Sequence, residues 1–281
     1  MLYGSTKEER PVSSMIKTFL KRWISPGIRS FVKRVLRMET FDETELIFQL
    51  LGQRKCGKVM IDVGAHYGSS LERFAEKRWE VYAFEPDPKN RAVLTKLCAR
   101  YPTVQIDPRA VSNRNGMTLP FFTSNVSSGI SSLSAFHESH EQSLQVKTVT
   151  LGAFFEEKSI QDVSFLKIDT EGYDLHVLQG LPWDRVQPDA ILCEFEDSKT
   201  ESLGYDFHEL ANFLSDKKYN LLISEWYPVA KYGGKHRWRR FALYPCNLID
   251  AKAWGNIIAV KGNDLAESLN MLSNIYSDRF I

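Results

Sequence analysis

The chain has little cysteine and no cysteine pair at metal or redox spacing. Its four cysteines, Cys56, Cys98, Cys193 and Cys246, stand far apart. That excludes a zinc cluster or a thioredoxin-like motif and suits a reducing compartment. Net charge is almost absent: 36 basic against 35 acidic residues leave +1, so bulk attraction to nucleic acid or membrane is not implied. No segment approaches the roughly eighteen apolar residues of a membrane span. The N-terminal MLYGSTKEERP has no apolar core of the signal-peptide kind, so a cytoplasmic location is expected. The dinucleotide fingerprint G-x-G-x-x-G is also missing, which weighs against an NAD-dependent oxidoreductase. No internal repeat is visible. What remains, 281 residues with 43% hydrophobic content, is enough for one large core, with or without a small appendage.

The chain is organised around VMIDVGAHYGSSLERFAEKRWEVYAFEPDP, residues 59–88. An apolar run closes on Asp62, a compact turn follows (Gly64-Ala65-His66-Tyr67-Gly68), and Ser69 to Lys77 has helical spacing. A second apolar run then ends on Glu85-Pro86. This is a β-α-β pattern. Glycine at 64 and 68 permits positive φ or close approach of a ligand, and the backbone N–H groups of the turn can meet an anion. Glu85 lies 21 residues after Gly64, where an acid accepts the two hydroxyls of a ribose. With Asp62 opening the turn, the site suits a nucleoside bearing a cationic amine or sulfonium rather than a pyrophosphate. S-adenosylmethionine is the expected cofactor. The plainer alternative is a β-α-β unit whose glycines serve packing only.

Along the rest of the chain, residues 1–41 read as a basic helical extension, split at Pro26-Gly27. It is either a surface for an anionic membrane or polyanion, or an appendage whose lysines and arginines snorkel from the core. Asp42 can cap a helix through Leu51. Pro86 and Pro88 lead into a helix to about Arg100, and Val104–Ile106 is a third strand, whose end places Arg109 and Ala110 near an adenine edge. Met117–Phe122 and Val146–Val149 are strand-like. The Ser-rich stretch between them, Ser124 to Gln142, reads as a long loop over the site. Tyr219–Ile223 and Phe241–Tyr244 suggest an antiparallel edge hairpin. Asp250 through Ile258 and Leu265 to Ile275 read as C-terminal helices. The rhythm is α/β, with an open, mostly parallel sheet covered by helices on both faces.

A second block, FLKIDTEGYDLHVLQG from Phe165, ends a buried-type strand on Asp169 and Glu171; AILCEFED repeats this with Glu194 and Glu196. Strand ends are where open α/β sheets bind ligands. Lys167, two residues before Asp169, shares its face. Candidate bases for a proton are Asp169, Glu171, Glu194, Glu196, His66, His137 and His140, with an acid from the two strand ends favoured, helped by a loop histidine such as His137. Duller roles are open to each: a turn brace for Asp169, an ion pair of Glu194 with Lys167. His137 and His140 could ligate a divalent ion with nearby acids, but a solvated loop is the simpler reading and no metal is assigned.

The pieces VMIDVGAHYGSSLERFA, VYAFEPDP, RAVSNRNG, SSGISSL, SFLKIDTEGYDLHVLQG and ILCEFE resemble the FkbM-type methyltransferases, within the class I S-adenosylmethionine-dependent superfamily. The resemblance spans roughly residues 42–245. It implies a Rossmann-like, seven-stranded, mostly parallel sheet with an antiparallel edge over residues 42–248. It assigns cofactor work to Asp62, Gly64, Ala65, Gly68, Glu85 and Pro86, with His66, Tyr67 and Ser69 in the same turn and Asp169 and Glu171 on the acceptor side. It also implies methylation of hydroxyls on sugars or secondary metabolites. His66 departs from it, since the family usually has Asn there.

The basic, aromatic YGGKHRWRR segment invites an acceptor role: Trp226, Tyr232 and Trp238 stacking on sugar faces, and His236, Arg237, Arg239 and Arg240 holding phosphate or uronate, with Lys167 alongside. A solvated hairpin anchored by Trp238 is the structural alternative. The expected acceptor is a small molecule or a glycan, phosphorylated and lipid-linked forms included. An N-methyltransferase, a C-methyltransferase, an RNA methyltransferase (against which the even charge argues) and a non-catalytic binding protein are the rivals.

Overall fold

A computed structural model describes residues 41–52, 57–124, 129, 131–230, 234, 236–263 and 265–270. The expected basic helical extension therefore lies outside the described residues, as do Tyr232, Cys56 and residues 271–281. The elements below belong to the unit that begins at Asp42.

Helix α1, Glu43–Leu51, starts where Asp42 accepts a hydrogen bond from the N–H of Glu45 at 3.0 Å. Strand β1 is Val59–Val63, helix α2 Glu72–Glu76, β2 Glu80–Phe84, α3 Pro88–Cys98, and β3 Val104–Asp107. Then come β4, Ala110–Val111, β5, Thr118–Ser124, and β6, His140–Val149. Helix α4, Leu151–Lys158, is capped by Thr150, whose hydroxyl accepts from the N–H of Ala153. After it follow β7, Phe165–Ile168, α5, Asp174–Gln179, β8, Ala190–Glu196, and α6, Asp197–Thr200. Helix α7, Phe207–Asp216, begins with a reciprocal capping box between Asp206 and Glu209. The last strands are β9, Asn220–Trp226, β10, Trp238–Leu243, and β11, Trp254–Val260.

Eight strands form the main sheet in the order β10-β9-β11-β8-β7-β1-β2-β3. Strands β1, β2, β3, β7 and β8 pair in parallel. Period-two alternation decides what each face buries. Ile61, Val63, Tyr82, Phe84, Leu166 and Ile168 meet Phe154 of α4, Leu178 of α5 and Leu210 of α7 in one apolar cluster. On the other face Phe165 stacks on Phe74 of α2 at 5.3 Å, and Phe74 meets Phe48 of α1 edge-on at 5.1 Å. Helices on both faces, as expected, leave the strand tips as the place for a ligand. Among the described residues no helix is long and apolar enough to cross a membrane.

Three expectations need correction. The sheet has eight strands, not seven. Residues 254–260 are a strand, not the helix expected from Asp250 to Ile258. Their WGNIIAV sequence is aromatic and β-branched, and β11 inserts antiparallel between β8 and β9, bonded on both sides. Gly255 makes this close fit possible, since a Cβ there would stand 1.9 Å from the Ser224 carbonyl oxygen. The antiparallel strand is thus internal, while β9 and β10 do form the expected edge hairpin. Lastly, the expected loop from Ser124 to Gln142 ends as strand: β6 starts at His140 and pairs antiparallel with β5, and β4 joins them in a separate three-stranded sheet.

Candidate functional site

The turn after β1 is closed by its own hydrogen bonds. The N–H groups of Gly64 and Ala65 both donate to the Phe84 carbonyl at the end of β2, at 3.1 and 3.0 Å, and Gly68 N–H donates to the Ala65 carbonyl at 2.8 Å. These amides are therefore spent on the turn and are not the anion cradle that the sequence suggested. Gly64 has φ +81° and sits where any side chain would strike the Asp169 backbone. Gly68, at φ +90°, faces α3, where a Cβ would come within 2.7 Å of Leu94 and Leu97. Its role is packing. His66 also has positive φ, +49°, a conformation that Asn and His accept more readily than most residues. Burial lowers the His66 pKa.

Glu85 closes the other side. One carboxylate oxygen accepts the His66 N–H and the other the Asp87 N–H, each at 2.8 Å. A carboxylate offers about four lone-pair positions, so one on each oxygen remains for a ligand hydroxyl. Burial pushes the Glu85 carboxyl up to about 7, against the two amide bonds. Arg91 donates to the Glu85 and Pro86 carbonyls at 2.8 and 2.9 Å and fixes this link.

The third wall comes from β7. Asp62 and Lys167 are register partners on β1 and β7, and their side chains lie 3.5 Å apart. Lys167 also donates to Asp169 at 3.1 Å, as their shared face predicts. Burial opposes the Lys167 charge, but Asp169 and Asp62 outweigh it and raise its pKa. Burial likewise opposes the Asp169 charge, but Lys167 and Lys199 hold its carboxyl below the usual range. Asp62 itself is fully buried and takes a hydrogen bond from Ser70 at 2.6 Å. It anchors the turn from behind instead of facing a ligand.

Beyond Asp169 the chain turns through Thr170, Glu171 (φ +57°) and Gly172. Asp174, fully buried, bonds the Thr170 hydroxyl at 2.8 Å and the Glu194 N–H at 3.1 Å, tying this turn to β8. The ammonium of Lys199 on α6 lies 2.6 Å from Glu171, 2.9 Å from Glu194 and 2.9 Å from Glu196. Glu194 therefore pairs with Lys199, not with Lys167. Burial pushes Glu171 up to about 7, and Glu194 well above its usual range, against the pull of Lys199. Asp169, Glu171 and Glu194 bring carboxylate oxygens within 4.8 Å of one another. The Lys199 ammonium already pairs with two of them, Glu171 and Glu194, so the three are not assigned as metal ligands.

These walls enclose a cavity of about 240 Å³. Of the sequence candidates, Gly64, Ala65, His66, Ser69, Glu85 and Pro86 line it from the β1 and β2 side. Arg109 and Ala110 line it from β4, and Lys167, Asp169 and Glu171 from β7. Arg109 is already committed, to Asp107 at 2.6 Å and Glu157 at 2.9 Å. Asp62, Tyr67, Gly68 and Glu194 do not line it, and neither does His137, whose Nδ1 is engaged by Ser139. Sequence reasoning missed Asn90, a buried residue on α3 that lines the cavity. It also missed Ser132, whose hydroxyl donates to the Glu171 carbonyl at 3.0 Å, and Lys199.

The aromatic, basic candidates sit elsewhere. None of Trp226, His236, Arg237, Trp238 and Arg240 lines the cavity; β9 is four strands from β1, about 19 Å at the usual strand spacing. Trp226 donates to Glu43 at 2.9 Å, Ser224 to Glu43 at 2.6 Å, and Trp238 to Ser224 at 3.1 Å. Arg240 pairs with the fully buried Glu225 at 2.7 Å. His236 packs on Trp254 at 4.9 Å, and the Arg237 guanidinium lies 3.8 Å over the Tyr227 ring. Glu225 on β9 neutralises the arginines and Glu43 on α1 takes the indole and hydroxyl bonds, so these groups bind the sheet edge to the body.

Fold and site together define an α/β protein with an acid-lined cavity at the carboxyl tips of parallel strands. The model of the methyltransferase FkbM domain matches residues 62–221, more than half of the chain. The chain belongs to the FkbM methyltransferase family, and membership carries S-adenosylmethionine-dependent methyl transfer in general. A hexuronic acid methyltransferase, AglP, from Haloferax volcanii is 25% identical over 183 residues, 65% of this chain and 72% of that protein. Among solved structures, a putative O-methyltransferase from Klebsiella pneumoniae aligns with 89% of this chain and 97% of its own at 10% identity and a TM-score of 0.43. An O-methyltransferase from Bacillus cereus in complex with SAH aligns over 89% and 98% at 10% identity and a TM-score of 0.39. The family assignment rests on the sequence match, not on these two structures.

Proposed function

We propose that the protein is an S-adenosylmethionine-dependent O-methyltransferase whose acceptor is a hydroxyl of a sugar, a glycan or a secondary metabolite. The observation that supports this most is that Glu85, at the tip of β2, and Asp169 and Glu171, beyond the tip of β7, face one cavity. The residues fit the cofactor. Glu85 has the lone pairs for ribose hydroxyls, Ala110 and Val111 offer an apolar wall for a base, and Gly64 and Ala65 border the remaining length. When bound, the cofactor supplies a methyl group on a sulfonium, which needs little activation.

The chain's own work is then to align an acceptor oxygen, exclude water and take its proton. Asp169 and Glu171 stand on the acceptor side. Glu171, near neutrality, is suited to accept a proton at working pH. Asp169, kept ionised by Lys167, is suited to orient the hydroxyl. An acid-rich wall favours a neutral hydroxyl over a carboxylate as the nucleophile, since two like charges repel in a desolvated site. The relative named for a hexuronic acid favours a sugar as the acceptor. Lipid-linked and phosphorylated glycans fall in the same class.

Calorimetry of the purified protein with S-adenosylhomocysteine and with NADH tests the proposal. Heat with S-adenosylhomocysteine, followed by transfer of labelled methyl to a glycoside panel, is the expected result. Heat with NADH alone would overturn it.

A further inference from the structure

Lys199 was not visible as a site residue, yet it is the most heavily engaged cation of the site. Its ammonium, 3% exposed, meets carboxylates from two elements: Glu171, after β7, and Glu194 and Glu196 on β8. A structural pair needs one carboxylate. Three around one ammonium leave two surplus negative charges if all are ionised, in a place screened from water, and that is costly. Such a cluster relieves itself by holding a proton. Only one of the three, Glu171, fronts the cavity. Its left-handed backbone, φ +57°, is a conformation that persists only when its surroundings hold it. Ser132 grips its carbonyl, Lys199 grips its carboxylate, and α6 packs so closely that a Cβ on Gly172 would stand 3.1 Å from Lys199.

Resting on the methyltransferase reading above, we propose that Lys199 is a positioning residue: it holds Glu171 on the cavity wall and couples Glu171 to Glu194 as one shared acceptor for the proton that leaves the acceptor hydroxyl. As the oxygen–methyl bond forms, the sulfur–methyl bond breaks and its electron pair stays on sulfur. The hydroxyl proton passes to Glu171 and leaves to solvent after the product does. Besides Glu194 and Glu196, the charged group that acts on Glu171 is Asp169, just beyond β7, which raises its proton affinity. Lys167 is already claimed by Asp62 and Asp169, so Lys199 is the cation that sets the proton affinity of Glu171. Burial opposes the charge on Lys199, but the three glutamates outweigh it and keep it charged.

The test titrates the full-length protein, with glutamate carboxyls labelled with carbon-13 and saturated with S-adenosylhomocysteine. The Glu171 resonance is assigned by its loss in Glu171→Gln. In the unaltered protein its midpoint is expected well above the ordinary 4.5, since burial raises it to about 7 in the ligand-free structure. In Lys199→Met the midpoint rises by about one pH unit or more, a tenfold gain in proton affinity, and Lys199→Arg brings it back. Glu196→Gln, which removes a competing negative charge and keeps Lys199, lowers the midpoint and serves if Lys199→Met does not fold. A midpoint unmoved in Lys199→Met that still binds S-adenosylhomocysteine, or unmoved in Glu196→Gln, overturns the proposal. An unaltered protein that binds no S-adenosylhomocysteine sinks the methyltransferase reading instead.

Discussion

A β-carbon on Gly64 would lie 1.9 Å from the carbonyl oxygen of Asp169. The tips of β1 and β7 therefore touch through backbone, and this contact sets the cofactor wall against the acceptor wall. Gly64→Ala adds both a clash and strain at φ +81°. The expected cost is about 2–4 kcal/mol of stability, read by chemical denaturation, with loss of S-adenosylhomocysteine binding. Unchanged binding would mean that the tips can part without harm to the site.

Glu85→Gln keeps the shape of the side chain but removes its charge and part of its accepting capacity. Its amide nitrogen must then face one of two backbone N–H donors. Affinity for S-adenosylhomocysteine is expected to fall ten- to a hundredfold, about 1.4–2.8 kcal/mol, in calorimetry at pH 8.

Stability of the ligand-free protein should vary with pH in a direction fixed by Glu85 and Glu171. Both carboxyls are raised from 4.5 to about 7 in the folded state. Between those values the folded protein binds more protons than the unfolded chain, so their contribution is greatest below about 4.5 and is lost as pH rises to about 7. Other groups titrate over the same range, so the test is a difference. Denaturation curves of Glu85→Gln should show less loss of stability across that window than the unaltered protein.

The edge cluster should behave as structure. Arg240→Met leaves the fully buried Glu225 with Arg239, at 3.6 Å, as its cation and with the Ile249 N–H, at 2.9 Å, and is expected to cost about 2–4 kcal/mol. Arg237→Ala, at an exposed stacking position, should cost under about 1 kcal/mol. Neither should change S-adenosylhomocysteine affinity; a marked change with Arg237→Ala would return this segment to the site.

What was legible in the sequence was what local pattern determines. Two apolar runs ending in Asp62 and Glu85 around a glycine turn read as a β-α-β unit with acids near its strand tips, and Asp42 announces its helix through capping spacing. The Gly64-Ala65-His66 cavity wall followed from that. What escaped was what distant segments supply. Lys199 lies in a short DSKT helix with no signal of its own; pairing of β7 with β8 is what gathers Glu171 and Glu194 around it. The WRR segment looks like an acceptor grip when its tertiary partners are out of view. Ser224, which receives the Trp238 indole N–H, leans on Glu43, 181 residues earlier. Strand β11 was misread because Asp250 mimics a helix cap, while the double pairing that makes WGNIIAV a strand is tertiary.

A crystal structure with S-adenosylhomocysteine would show directly whether Glu85 holds the ribose. Both ribose hydroxyls are expected within about 3 Å of the Glu85 carboxylate, with the base against Ala110 and the sulfur directed toward Asp169 and Glu171. An adenosyl group bound elsewhere, or a ribose that leaves Glu85 bonded to the His66 and Asp87 amides alone, would contradict it.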